Sequence, residues 1–204
     1  MFIAFAGLPS SGKSSTARAL GRIMEAETLL EPEESDWPLL VQERAVMGAF
    51  TALTWFRTVR VPKLFRAEDK RTQGGSVIVD SYYDVLIGDY LGKPAFNWLM
   101  PTNDPYFDAA SAMVREDWNR LPKADVLVFL YLDEDTWMDF MKKRDRDFDR
   151  SAQLESHFEM QELMLQASRR AATEHHTKLL VIEQRSGSPE DTALRVRDRL
   201  EEFA

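Results

Sequence analysis

The chain opens on an apolar run, Met1-Phe-Ile-Ala-Phe-Ala6, that passes directly into Gly7-Leu-Pro-Ser-Ser-Gly-Lys-Ser14. The string reads G-x-x-x-x-G-K-[ST], and Thr16-Ala-Arg-Ala-Leu20 continues it as a helix. Such a loop must leave the end of a buried strand and enter a helix N-terminus. There the first backbone amides lack intrahelical partners, and the helix dipole favours an anion. Gly7 and Gly12 permit a tight turn around phosphates. Pro9, Ser10, Ser11 and Ser15 complete the expected nucleotide-contacting set. Lys13 is expected to reach the β/γ-phosphates, and the Ser14 hydroxyl to sit on Mg²⁺. The loop therefore predicts a nucleoside-triphosphate site, with ATP and Mg²⁺ as the expected cofactors. It is silent on what receives the phosphate.

The rest of the chain alternates strand and helix. Apolar strands are expected at Phe2–Ala6, Glu27–Leu30, Ser76–Asp80, Asp125–Leu132 and Lys178–Glu183. Helices are expected at Lys13–Glu25, Leu39–Val61, Tyr82–Leu91, Tyr106–Leu121, Thr136–Arg144, Glu155–His175 and Pro189–Phe203, with Pro62 ending the second. Lys63–Gln73 reads as a charged connection, and Gly92–Pro105, with three prolines, as a surface excursion. Five buried strands in this rhythm predict an α/β three-layer sandwich around a five-stranded parallel sheet. Ligands then belong at the C-terminal ends of the strands. Gly7, Glu31 and Asp80 all fall there. No repeat or boundary divides the 204 residues, so one domain is expected.

Composition narrows the function classes. The formal net charge of −8 argues against extended nucleic-acid binding. The absence of cysteine excludes disulfides and thiolate metal sites. No apolar run approaches the roughly 20 residues of a membrane span, and no basic region precedes the apolar start, so no membrane association and a cytoplasmic location are expected. His157, His175 and His176 show no metal-ligand spacing and read as surface or helix residues.

Two carboxylates and one basic cluster carry the chemistry. Asp80 closes the strand Val77-Ile-Val79 and is a candidate Mg²⁺ ligand beside the loop, alongside Ser14. An N-cap for the following helix is the plainer role for an Asp there. Glu31, fixed by Pro32, is a candidate base toward an acceptor hydroxyl. Its neighbours Glu33, Glu34 and Asp36 make an acidic surface loop the alternative. Lys142-Lys-Arg-Asp-Arg-Asp-Phe-Asp-Arg150 alternates sign. It reads either as a solvated helix end or as a lid, at about 142–152, bringing Arg144 and Arg146 onto the transferring phosphoryl group.

Together these residues resemble the deoxynucleoside kinase family, within the wider group that includes thymidylate kinase. The likeness spans nearly the whole chain and implies a phosphate-loop kinase fold. The family's Glu-Pro pair after strand two matches Glu31-Pro32, which implies that Glu31 is the base toward a sugar 5′-hydroxyl. Trp37 resembles the aromatic that lines the family's substrate site. Arg144-Asp-Arg146-Asp-Phe-Asp149 resembles the family lid R-x-R-x-x-E and makes Asp149 the candidate contact to a sugar 3′-hydroxyl. Gln42 is the nearest match to the family's base-reading amide. Tyr82 and Tyr83 are further candidates for the acceptor pocket, as are Phe50, Thr54, Trp55, Tyr106 and Phe107. The loop Glu183–Ser188, with Gly187, resembles the segment that wraps adenine. One motif departs. The strand-three signature is Glu-Arg-Ser or Asp-Arg-Tyr in the family and Asp80-Ser81-Tyr82 here, so its arginine is missing. Arg57, Arg60 and Arg115 are the basic residues that could replace it.

The expected activity is phosphoryl transfer from ATP to a hydroxyl of a nucleoside or nucleoside-like small molecule, with a homodimer as the expected assembly. A nucleoside monophosphate kinase, an antibiotic or sugar kinase, and a degenerate nucleotide-binding regulator remain open alternatives. A signalling GTPase is disfavoured, because no N-K-x-D string is present and Asp80 is not followed by x-x-Gly.

Overall fold

β1 (Phe2–Gly7) is buried along its whole length, and the fold is built outward from it. With β2 (Glu27–Leu29), β3 (Val77–Val79), β4 (Val126–Tyr131) and β5 (Lys178–Glu183) it forms one parallel sheet ordered β2-β3-β1-β4-β5. The register sets Ile3 beside Ile78 and Val126, and Leu29 beside Val79. This computed structural model describes residues 1–144 and 154–202, and the side chains of 1–140 and 158–202.

Side chains alternate across a strand, and β1 divides the core accordingly. Ile3 and Phe5 face α1 (Lys13–Met24) and the C-terminal helix, meeting Ala17, Leu20, Ala193 and Val196. Phe2 and Ala4 face the opposite layer, which holds Leu64, Val85, Val114 and Met164. That layer is made by α4 (Ala49–Thr72), α5 (Tyr83–Leu86), α6 (Phe107–Arg120) and α8 (Leu154–Glu174). The short α2 (Leu39–Gln42) and α3 (Arg44–Met47) precede α4, and α7 (Glu134–Arg144) follows β4. The last helix, α9 (Pro189–Glu201), starts at a Ser188–Asp191 capping box with Pro189 in its first turn. The result is the expected three-layer α/β sandwich.

Three stretches differ from the sequence expectation. The helix predicted over 39–61 is broken at Gly48, whose φ of 91° lies outside the helical region. Pro62 does not end α4, which runs on to Thr72. Pro62 and Thr58, the residue whose carbonyl Pro62 cannot pair with, are both exposed, so the lost bond is not buried. An interior proline costs about 3 kcal/mol. Burial of Leu64 and Ala67, two and five residues later, opposes that cost. Residues 92–105 are not a surface excursion, because Ala95, Phe96 and Met100 are buried. Phe96 stacks on Tyr90 with ring centroids 4.6 Å apart.

Candidate functional site

The turn after β1 is fixed by backbone geometry. Gly7 has φ 135°, and a Cβ there would lie 2.7 Å from the Leu130 carbonyl oxygen of the neighbouring strand. Gly12, at φ 81°, is the left-handed N-cap of α1. Both positions need glycine. Ser10 is also left-handed, at φ 65°, and the Ser11 amide donates to the Leu8 carbonyl at 3.2 Å. The Lys13 ammonium lies over the loop, donating to the carbonyls of Gly7 at 2.9 Å and Leu8 at 2.6 Å.

Gln184 braces this loop from the end of β5, the outer strand of the sheet. Its Nε2 donates to the Ser11 carbonyl at 2.8 Å, and its Oε1 accepts from the Thr192 hydroxyl at 2.8 Å. Sequence reasoning did not single out Gln184. The available signal was its position, one residue past β5 at the ligand edge of the sheet.

Asp80 joins the loop to the end of β2. Its Oδ2 accepts from the Ser14 hydroxyl at 2.6 Å, and its Oδ1 accepts from the Glu31 amide at 2.9 Å. Burial, then the negative charge of Glu31, push the Asp80 carboxyl above its ordinary range, against the hydrogen bonds it accepts. Ser14 and Asp80 therefore place a hydroxyl and a carboxylate oxygen side by side at the start of α1. Ser81 caps locally in part, accepting from the Tyr83 amide at 3.5 Å.

Glu31 is the other carboxylate of the site. Burial drives its pKa up, but Arg60, the Ser81 hydroxyl and Lys13 outweigh burial and hold it below the ordinary value. The Arg60 Nη1 donates to Glu31 Oε1 at 3.2 Å, and its Nε donates to Asp84 Oδ2 at 2.6 Å. Arg60 is thus the cation that meets Glu31 in the absence of an arginine at position 81. Arg57 is not, because its fork is bidentate to Asp117 at 2.6 and 2.7 Å, and Arg115 is exposed on α6. Lys63 completes the surroundings by donating to the Leu30 carbonyl. Burial lowers its pKa, while the charges of Asp80 and Glu31 oppose that shift.

One cleft of about 980 Å³ connects these groups. Its phosphate end is lined by the whole loop from Pro9 to Thr16, with Gln184, Arg185 and Gly187. Its other end is lined by Glu31, Trp37, Phe56, Arg60, Tyr83 and Trp98. The stripe Ala49, Ala52, Leu53, Phe56 and Arg60 on α4 lines the cleft, as helical spacing requires. Trp37 meets Phe56 edge-on with centroids 5.2 Å apart. Arg44 lies 5.5 Å from the Trp98 ring centroid. Burial pushes the Tyr83 phenol up, and its oxygen makes no hydrogen bond among the described residues.

The sequence candidates divide as follows. Gly7, Pro9, Ser10, Ser11, Gly12, Lys13, Ser14, Ser15, Glu31, Trp37, Gln42, Asp80 and Gly187 all border the cleft. Gln42 does so with its amide engaged, since Nε2 donates to the Trp37 carbonyl at 2.6 Å. Tyr82 is corrected. It is buried in the core, edge-on to Phe2, and its hydroxyl accepts from the Ala124 amide at 3.1 Å. The neighbouring Tyr83 faces the cleft instead, because the first turn of α5 sends successive side chains to different sides. Phe50 stacks on Tyr106 at 5.2 Å outside the cleft lining. Of the lid expected at 142–152, residues 145–152, with Arg146 and Asp149, lie outside the described residues, and Arg144 is placed only as the last residue of α7.

No family model and no curated protein sequence matches this chain. Solved structures do. A deoxyadenosine kinase from M. mycoides with bound dATP superposes with a TM-score of 0.72 at 18% identity, over 98% of this chain and 100% of that one. The same enzyme with the products dCMP and a flexible dCDP gives 0.68 at 14% identity, over 99% and 100%. A thymidylate kinase from Candida albicans, described as having broad substrate specificity, gives 0.67 at 19% identity, over 99% and 91%. At these identities the likeness establishes the fold. Among the described residues, no helix is long and apolar enough to cross a membrane.

Proposed function

We propose that this chain is an ATP-dependent kinase that phosphorylates a hydroxyl of a nucleoside or nucleoside-like small molecule. The observation that carries this reading is the Asp80 bridge. One carboxylate ties Ser14 of the phosphate loop to the backbone of Glu31, so a phosphate cradle and a candidate base open into the same cleft.

In this reading the loop amides and Lys13 hold the donor phosphates of ATP. The acceptor oxygen attacks the γ-phosphorus in line, the bond to the β,γ-bridging oxygen breaks, and ADP leaves. Glu31 orients the hydroxyl and takes its proton. Trp37, Phe56 and Tyr83 form the apolar wall against which a flat acceptor packs. Arg144, Arg146 and Asp149 are proposed to act from the lid, and Gly187 beside the adenine.

Mg²⁺ fits the donor set. Ser14 Oγ and Asp80 Oδ2 are hard oxygens 2.6 Å apart at the loop, and no larger cluster of acidic or histidine ligands occurs among the described residues. That is the pattern of an ion held by one or two protein oxygens plus substrate phosphates. When bound, Mg²⁺ would neutralise charge on the β- and γ-phosphates. A cytoplasmic location and a homodimer belong to the same proposal.

The test is ADP release from ATP and Mg²⁺ in the presence of nucleosides, nucleoside monophosphates and small hydroxyl compounds. Acceptor-dependent ADP release with a nucleoside is the expected result. Release with sugars or antibiotics alone would replace the acceptor class. No acceptor-dependent release across the panel would favour the regulator.

A further inference from the structure

Arg60 is the most heavily committed side chain in the cleft. It comes from the middle of α4, is 10% exposed, and serves two carboxylates from two other elements. Nε and Nη2 donate to Asp84 Oδ2 and Oδ1, at 2.6 and 3.4 Å, and Nη1 donates to Glu31 Oε1 at 3.2 Å. Its guanidinium carbon lies 5.1 Å from the Phe56 ring centroid and 4.8 Å from that of Tyr83. The donors thus fix the guanidinium along its edges, and both rings lie close to it. A guanidinium has only five N–H donors in a rigid fork. Those that point along Nε and Nη2 are spent on Asp84.

We infer that Arg60, locked by Asp84, is the positioning residue for Glu31, and that this lock fits the site to an uncharged hydroxyl acceptor rather than to a phosphorylated one. The inference rests on the kinase reading above and specifies its acceptor. One cation here faces two carboxylates, so the immediate balance is already negative. Two further cations line the cleft away from Glu31: Arg44 lies against the Trp98 ring, and Arg185 lines the phosphate end. Lys13 is tied to the loop carbonyls and assigned to the donor phosphates. Lys63 donates to the Leu30 carbonyl. Asp80 is a further negative group, and Glu33 and Glu34 line the same wall. A phosphorylated acceptor would place a dianion beside Glu31 and Asp84 with the nearest guanidinium already paired. A hydroxyl adds no charge and needs only one acceptor oxygen of Glu31.

The positioning role separates from a merely structural one by removing both ends of the lock. Truncating Arg60 alone would strand a buried carboxylate and threaten folding. The double variant Arg60→Met/Asp84→Leu replaces the pair by apolar groups, a change that buried ion pairs often tolerate. The probes are deoxyadenosine, deoxycytidine and thymidine and their 5′-monophosphates, with ATP and Mg²⁺. The double variant is expected to melt like the parent, to keep its KM for ATP, and to lose about 100-fold in kcat for the nucleoside, the scale of a misplaced reacting group. The single variant Asp84→Asn weakens the lock and is expected to raise monophosphate use relative to nucleoside use. A folded double variant with undiminished kcat overturns the inference. So does a parent enzyme that prefers monophosphates, above all if Arg44→Met abolishes that preference. If the parent turns over no probe, the kinase reading fails, and the inference is judged by calorimetric binding of the same probes. Nucleoside binding at least about tenfold tighter than monophosphate binding, or 1.4 kcal/mol, sustains it. The reverse order, or binding of neither, overturns it.

Discussion

The two ends of the cleft are built by different means. The phosphate end is written in backbone: two glycines at positive φ, a run of loop amides, and carbonyls that receive Lys13. Nearly all of it comes from residues 7–16, with Gln184 as a brace. The acceptor end is written in side chains. Glu31 follows β2, Trp37 precedes α2, Arg60 lies mid-way along α4, and Tyr83 and Asp84 begin α5. Their bonds span 24 to 49 positions of sequence, from Arg60–Asp84 to Asp80–Glu31. A site made from one contiguous loop is fixed by local conformational rules. A site made from many elements depends on how the helices pack, and so varies with every helix that contributes.

This contrast can be broken by substitution. Gly7→Ala carries the largest expected effect. The added Cβ meets the Leu130 carbonyl at 2.7 Å in a conformation unsuited to alanine. The expected loss is about 3 kcal/mol of stability together with nucleotide binding, read by thermal melting and ATP titration. A variant that melts like the parent would mean that the β1 turn relaxes and that backbone geometry does not govern this end.

Gln184→Ala comes next. It strips the Ser11 carbonyl and the Thr192 hydroxyl of their buried partner, at a cost of about 1–3 kcal/mol. ATP affinity is expected to drop about tenfold with acceptor KM unchanged, if the cost falls on the loop. An equal change in both constants would show that the two ends are not separable.

Much of the fold was legible because β1, β3, β4 and β5 are apolar runs followed by turn signals, and the loop motif orients the sheet. What was not legible turned on packing. Pro62 was expected to stop a helix, yet Leu64 and Ala67 hold α4 together beyond it. The stretch 92–105 looked like a surface loop from its prolines, yet Phe96 and Met100 are in the core. Tyr82 and Tyr83 are indistinguishable by type, and only the first turn of α5 decides which faces the cleft. Arg60 was one of three basic candidates for the missing strand-three arginine. Choosing it required knowing that α4 lays position 60 against the end of β2.

Gln42→Ala carries the smallest expected effect. The amide bonds the Trp37 carbonyl at an exposed site, where a hydrogen bond is worth about 1 kcal/mol or less. Acceptor kcat/KM is expected to change by about twofold, with the order of preferred bases unchanged. A reordered base preference would return Gln42 to the role of base reader and shift the acceptor wall toward α2.

The central claim is that phosphate binding and hydroxyl activation are separate functions joined by Asp80. Glu31→Gln tests it most directly, with ATP binding and acceptor-dependent ADP release measured on the same preparation. The account predicts ATP affinity within about twofold of the parent and at least a 100-fold loss of transfer, the scale of a lost general base. Full transfer by Glu31→Gln would contradict it, and so would loss of ATP binding in step with transfer.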